Sequence, residues 1–499
     1  MELEFNKTGL PYLRRVIHEV KEQEETGEIR LQDDAPDIAR VLCNWGQVLI
    51  RSKEWKGNGL TVSGGVMAKV LYESDGEEGL RCTETWIPFQ VKCDFPQTEK
   101  DGVICAAPRL LGLDTRMASA RKMIVRAHIG VCVKAMVHDS LEIPVPPDLP
   151  EDVQLLKNKY PFQIPVEAGE KVFSVEEDIT FPNTITAQDK LVSYSVAPIL
   201  TESKIMGDKL IFRGIARIRI VYINADDRLN SLEHEIQLSQ FTQLDDEYGE
   251  DVQSKIQFAV TCLEVEQAQE GNWHCKVGIA AQYIIYYHAV TEIVQDAFST
   301  VRSVSCTCDS VQIPAVLESR EITVQSECTV PLDIREVTDA VFWPGIPNVY
   351  TEDGMLYADL SGNFQVLGSD VMGNYNTGNS KWLQSIPMDC DDKVSAELNL
   401  DFCGSIDSRI DGDTVVLQAQ LPIEIETVNR QPLSMVTAVE LGDPIKQNSE
   451  KPSVIIRRVG DESLWEIAKS VGSTVDAIRK ANGIEAEPTI GQLLLIPIT

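Results

Sequence analysis

Three places in this chain set chemically capable side chains close together. The segment Gly373-Asn374-Tyr375-Asn376-Thr377-Gly378-Asn379-Ser380-Lys381 has the glycine spacing of a phosphate-binding loop. Such a loop needs its lysine immediately before the Ser/Thr, so that the ammonium reaches the β- and γ-phosphates. Asn379 holds that place here, and the segment reads as a polar hairpin loop. Cys306-Thr307-Cys308 has no second cysteine pair and no histidine near it in sequence, which leaves a zinc ion short of ligands. His138-Asp139-Ser140 holds triad residue types, but adjacent residues cannot reach triad geometry, and no G-x-S-x-G elbow accompanies them. The histidines His18, His128, His138, His234, His274 and His288 are dispersed and read as structural or surface residues. Paired carboxylates occur throughout so acidic a chain and single out nothing. No catalytic residue, metal site or cofactor is expected, and the chain reads as non-enzymatic.

The densest local signals lie between Ile455 and Pro497. Ser463 followed by Glu466 is a capping box, which predicts a helix start. Leu464, Ile467, Ala468 and Val471 then share one helical face. Thr474 is a second N-cap, Val475, Ile478 and Ala481 form the next apolar stripe, and Asn482-Gly483 supplies a left-handed stop. Two short helices between two short apolar strands make a βααβ unit of fewer than fifty residues. Its Leu464-Trp465-x-Ile467-Ala468 core and Gly491-Gln492-x-Leu494-x-Ile496-Pro497 tail resemble a LysM domain, a module known mainly for holding N-acetylglucosamine-containing glycans. The resemblance implies a ligand groove between two loops, Asp461, Glu462 and Ser463 on one side and Asn482, Gly483 and Ile484 on the other. It casts Leu464, Trp465 and Ile467 as structural anchors. Asp461 stands where the family carries glycine, which changes the first wall of that groove.

The 499 residues carry a net charge of −32, yet Lys451 to Thr499 holds six Lys/Arg against six Asp/Glu. The whole excess therefore belongs to residues 1–450, an acidic body with a neutral tip. Nucleic acid and anionic membrane surfaces would be repelled by such a body. The first residues, Met1-Glu2-Leu3-Glu4-Phe5, have neither a basic nor an apolar leader region, and no run approaches the ~18 apolar residues of a membrane span. The twelve cysteines are scattered through strand-like segments and read as reduced thiols. A cytoplasmic location is expected.

The acidic body repeats. Leu60-Thr61-Val62-Ser63-Gly64 with Val70-Leu71-Tyr72 is echoed 150 residues later by Leu210-Ile211-Phe212-Arg213-Gly214 with Ile220-Val221-Tyr222. Ile29 and Leu31 recur as Ile179 and Phe181, and Val172 recurs as Ile322. A looser third copy includes Leu360-Ser361-Gly362 and Trp382-Leu383, the latter matching Trp86-Ile87. Matched positions at one spacing point to duplication. Alternating apolar residues such as Leu210, Phe212, Ala216, Ile218 and Ile220 predict half-buried strands, and Asp75-Gly76, Asp353-Gly354 and Asp411-Gly412 predict hairpin turns. The exception is the start, where Leu13, Val16, Ile17 and Val20 predict one face of a helix ending in the acidic run Glu22 to Glu28. Linkers are expected at 144–150 and 442–452, the second crossed by few contacts.

Each copy is thus expected to be an antiparallel β-sandwich or barrel. The predicted units are 1–160 (an N-terminal helix and first repeat), 161–310 (second repeat), 311–445 (third, divergent repeat) and 453–499. The Asp37-Ile38…Val41-Leu42 run, the Leu-x-Val-x-Gly…Val-Leu-Tyr hairpins and the terminal module together resemble tandem SPOCS domains followed by LysM. That architecture is known from spore-coat morphogenetic proteins of endospore-forming clostridia. The resemblance implies a structural adaptor in the mother-cell cytoplasm, at the forespore surface, docking through LysM to the coat's basement-layer ATPase and joining other coat proteins. Two rival readings are a cell-wall protein binding peptidoglycan or another N-acetylglucosamine glycan, and a hydrolase with catalytic groups hidden in the repeats.

Overall fold

The period-2 alternation of the body becomes strand over almost its whole length. A computed structural model describes residues 2–498 apart from 77–78, 97–98, 100, 180–188, 268–271, 312–315, 392–393, 401–405, 430–431 and 446–451. Phe181, Cys403 and part of the second linker therefore lie outside the described residues. The fold is mainly β, built from antiparallel sheets, with two short helices near the C-terminal end.

In the first copy, Gly59–Ser74 is the central strand of one sheet, between Ile38–Lys56 and Leu80–Asp94. Lys122–Val145 is the central strand of the other, between Asn6–Arg30 and Val103–Ser119. The inward positions alternate, as a half-buried strand demands: Val62, Val66, Ala68 and Val70 from one central strand meet Val125, Ala127, Ile129 and Val131 from the other in one core. The result is a six-stranded sandwich.

The second copy repeats this pairing strand for strand. Val153–Ile179 and Val252–Gln267 flank Trp273–Ser299, and Ile179 opposes Trp273 as Ile29 opposes Met123. The long strand Lys190–Ile223 folds back at Gly207, whose φ of 63° matches the positive φ of 38° at Gly57. Its second half pairs with Leu229–Tyr248. The hairpin contact is the same in both copies. A Cβ placed on Gly64 would stand 2.3 Å from the Leu49 carbonyl oxygen, and one on Gly214 would stand 2.3 Å from that of Ile199. Each glycine lets two backbones approach where a side chain would hold them apart.

The third copy keeps the order with broken strands. Val316–Pro331 pairs with Thr414–Asn429, which also takes Val394–Leu400 and Ile406–Asp411, while Met355–Ser369 is central to Glu336–Pro344, Asn348–Glu352 and Tyr375–Asp391. Asp353 and Gly354 both have positive φ and join two strands as a two-residue turn. Asp370 accepts from the backbone N–H groups of Met372 and Asn374, so the segment beginning at Gly373 is a closed polar turn running into a strand, with no helix to complete a phosphate site.

The expected N-terminal helix is corrected to a strand, Asn6–Arg30, paired with Lys122–Val145. The misreading has a definite cause. A register shift between Arg15 and Ile17 leaves Val16 as an extra residue, and this one-residue bulge turns a spacing of two into apolar positions three and four apart. Leu13 and Ile17 are buried while Val20 is exposed. The acidic run beyond is a strand face, on which Glu22, Glu24 and Glu28 meet His128, Arg126 and Lys122 of the neighbouring strand.

The three copies close on one another. Leu71 and Val221, at equivalent positions 150 residues apart, meet Leu367 of the third copy in one core. Gln282 of the second copy holds both the N–H and C=O of Ala106 in the first, at 2.7 and 2.8 Å. Trp45 of the first copy donates to Asp339 of the third, which Arg219 of the second also meets. At the far end, Glu2–Glu4 pairs with Leu433–Pro444, so the start of the chain lies on the last copy. Arg302–Val311 adds to the other edge of that strand. The described cysteines are free thiols.

Candidate functional site: the C-terminal module

The module is built by local rules. The Ser463 hydroxyl accepts from Glu466 N–H at 3.2 Å, and Glu466 returns by accepting from Ser463 N–H at 2.8 Å. Hydrogen bonds donated to it by the Ser463 backbone N–H and hydroxyl hold the Glu466 carboxyl below the ordinary carboxylate range. Helix α1 (Leu464–Val471) ends at Gly472, in the left-handed region at φ 73°. Helix α2 (Val475–Asn482) begins at the Thr474 cap and ends at Gly483, φ 63°. Val454–Arg458 and Leu493–Pro497 pair antiparallel beside them. Leu464, Ile467, Ala468, Ile478, Leu494 and Ile496 form the core, with Ile484 packed at its edge.

The two loops proposed as groove walls stand side by side. Glu487, just past Ile484, accepts the Leu464 N–H at 2.9 Å and so ties the second loop to the first turn of α1. Asp461 is exposed, while Glu462 is paired with Arg457 at 2.5 Å. Ser463 is committed to the capping box and Gly483 to the αL stop. Asn482 makes three bonds inside the module: its amide donates to Ile478 and Leu495 carbonyls at 2.8 and 2.6 Å, and its oxygen accepts Leu495 N–H at 2.8 Å. The rim is acidic, with Asp461, Glu462, Glu466, Glu485 and Glu487 on these two loops and the first turn of α1. Behind the loops, Ile456, Leu493 and Leu495 expose an apolar outer face on the two-stranded sheet.

Trp465 does more than anchor its own helix. Its ring meets Phe298 of the second copy edge-on, centroids 4.7 Å apart, and its N–H donates to Asp296 at 2.8 Å. Lys469, one turn along, joins Asp296 at 2.7 Å. Burial pushes the Asp296 carboxyl up, but the bonds from Lys469 and Trp465 and the lysine's charge outweigh it and hold Asp296 below its ordinary value. Leu156 completes the contact. The described contacts between module and body are few and specific: one aromatic pair and a shared carboxylate join them. Asp296 and Phe298 carried no sequence signal, because their partners lie ~170 residues away in sequence.

With this geometry in view, two regions of the chain match known domain families. Residues 189–268 match the family described as SipL, SPOCS domain, and residues 459–497 match the LysM domain. No curated protein and no solved structure matches the chain. The chain is a mainly β repeat protein with a small helical tip; more particularly, it is a SPOCS-plus-LysM protein. The SPOCS match falls on the second copy, from the hairpin that turns at Gly207 to the strand Val252–Gln267. Both are non-enzymatic domain families, and the pair fits a sporulation-associated adaptor of the glycan-binding type. Among the described residues, no helix is long and apolar enough to cross a membrane, and no group of three His, Cys, Asp or Glu side chains is placed to hold a metal ion.

Proposed function

We propose that this chain is a non-enzymatic structural adaptor of spore-coat assembly, working on the mother-cell side of the forespore surface. Its LysM tip docks to the coat's basement-layer ATPase, and the three β copies form the scaffold that spaces this contact from other coat proteins. The observation that carries the docking reading is the state of the groove. The Leu464 N–H beside the groove is already taken by Glu487, and the rim bears five carboxylates, of which Glu462 and Glu487 are paired with Arg457 and Arg479. An acidic rim beside an exposed apolar sheet face suits a protein segment carrying Lys or Arg. The LysM match supports the rival reading, an N-acetylglucosamine-glycan binder of the cell wall.

The test uses the full-length chain. Purified basement-layer ATPase and chitin oligomers are titrated separately against the wild type and against a double variant, Asp461→Lys with Glu485→Lys. Both positions are exposed, so folding is expected to survive the exchange. Wild-type binding of the ATPase, weakened about 10-fold or more in the variant, is the expected result, roughly what losing one well-placed charge pair costs. Tight binding of chitin oligomers with no binding of the ATPase would replace the adaptor with the wall-binding protein.

A further inference from the structure

Where the three copies meet, the fold assembles a nucleophile that no local motif announces. Register places His18 opposite Lys134 and Val20 opposite Cys132, so His18 and Cys132 are diagonal neighbours on one sheet face. The Cys132 sulfur lies 3.9 Å from His18 Nε2. The other ring nitrogen, Nδ1, lies 3.1 Å from Glu397 of the third copy. Arg15 fixes the same carboxylate oxygen at 2.6 Å. Thiol, imidazole and carboxylate thus stand in line, the order in which a carboxylate orients an imidazole and the imidazole takes a thiol proton. They line a cavity of about 110 Å³, whose walls include Lys134, Cys105, Gln282 and Tyr286.

We propose that Cys132 is a nucleophilic thiol site for low-molecular-weight disulfides bearing a carboxylate, with His18 as its proton acceptor and Glu397 as a positioning residue. The cavity admits a small molecule and excludes a folded protein chain. Lys134 beside the thiol favours an anionic one, the cavity's Glu424 and Glu426 being paired with Lys255 and its Glu397 with Arg15 and His18. In the exchange, His18 holds the proton of Cys132 and the thiolate attacks one sulfur of the disulfide. The old S–S bond breaks, a Cys132–sulfur bond forms, and the departing thiolate takes the proton from His18. Cys132 is oxidised to a mixed disulfide as the leaving sulfur is reduced, so no other oxidant is needed, and excess small thiol reverses the step.

The electrostatics run the same way. Burial opposes ionisation of Cys132, but the bond with His18 and the charges of His18, Lys134 and Arg109 bring the thiol below its ordinary value. Burial would lower His18, but its bonds with Cys132 and Glu397 and the Glu397 charge raise it. Burial would raise Glu397, yet the His18 bond and the Arg15 and His18 charges bring it down to about 2. Other buried thiols move the opposite way: burial pushes Cys105 up to about 11, and Cys82 and Cys275 to about 12.

The test reacts the full-length protein with dithiobis(nitrobenzoate), a carboxylate-bearing disulfide, and with the neutral dithiodipyridine, following thiolate release and mapping labelled peptides by mass spectrometry. At about pH 6.5, Cys132 is expected to be labelled several-fold faster than the exposed Cys308, because the thiolate is the attacking species. Cys132→Ser removes the fast phase. His18→Gln slows it about 10-fold and moves the half-maximal rate to higher pH, and Glu397→Gln moves it the same way by less. The anionic reagent should gain more from Lys134 than the neutral one, a preference that Lys134→Gln abolishes. Labelling of Cys308 before Cys132 in the wild type, or a pH profile unmoved by His18→Gln in a variant with wild-type melting, would overturn the proposal.

Discussion

The carboxamide of Asn482 closes helix α2 with its donor and the edge of Leu493–Pro497 with both its donor and its acceptor. It imitates a neighbouring strand, since Leu495 N–H and C=O both find it. Asn482→Ala leaves those two backbone groups and the Ile478 carbonyl to water, at a cost of about 1–2 kcal/mol given net values near 1 kcal/mol per bond. The expected outcome is a lower denaturation midpoint for the module, reported by fluorescence of Trp465, with any partner affinity falling only as far as the fold does. Residue roles here were legible when the partner was local. The pairing of Ser463 with Glu466 spans three residues and could be read directly, and so could the glycine after Asn482. The use of the Asn482 side chain depends on Leu495, thirteen positions on, and on how the strand returns past the helix. Cys132, His18 and Glu397 are the extreme case, with 114 residues separating His18 from Cys132.

At the level of elements, alternation and turn chemistry carried most of the information. Asp353-Gly354 and Asp411-Gly412 sit at hairpin ends, and Leu210, Phe212, Ala216, Ile218 and Ile220 point inward as their spacing requires. The bulge at Val16 shows the limit, because one inserted residue is enough to convert a strand's periodicity into a helix's. The paired glycines give this level its own prediction. Gly64 and Gly214 each bring a backbone oxygen within 2.3 Å of where a Cβ would be, and the Phe89 ring also crowds Gly64 at 2.6 Å. Carbonyl oxygens in a ladder cannot swing away as a flexible side chain does. Gly64→Ala and Gly214→Ala should therefore each destabilise by roughly 1–3 kcal/mol, the range for overpacking. Gly249→Ala is the control, since nothing stands within 4 Å of its added Cβ. Urea denaturation of the three variants decides it. A neutral Gly214→Ala would mean the two halves of Lys190–Ile223 are not held as tightly as the first copy's hairpin.

For the whole molecule, the spacing of 150 residues told that copies exist, and the structure adds how they are assembled. Leu71, Val221 and Leu367 are ordinary apolar residues in sequence; only a closed arrangement makes them neighbours. The same holds for the tip, whose neutral charge and preceding linker suggested independence. Its docking surface uses Trp465 and Lys469, whose sequence context explained them as a helix anchor and a last-turn cation. Removing residues 453–499 takes the indole off Phe298 and leaves Asp296 without the module's two donors, Trp465 and Lys469, while the three cores of the body keep their own residues. Asp296 then becomes an exposed carboxylate, which water satisfies, and Phe298 an exposed ring. The loss should consequently be local. Hydrogen exchange is expected to rise at the end of Trp273–Ser299, around residues 293–299, and in the facing end of Val153–Ile179, with protection unchanged in Lys122–Val145 and Thr414–Asn429. Trp465→Ala in the full chain should give the same pattern more weakly, because Lys469 still holds Asp296. Protection lost throughout the body after truncation would mean that the tip braces all three copies, and that the module is part of the scaffold as well as its docking end.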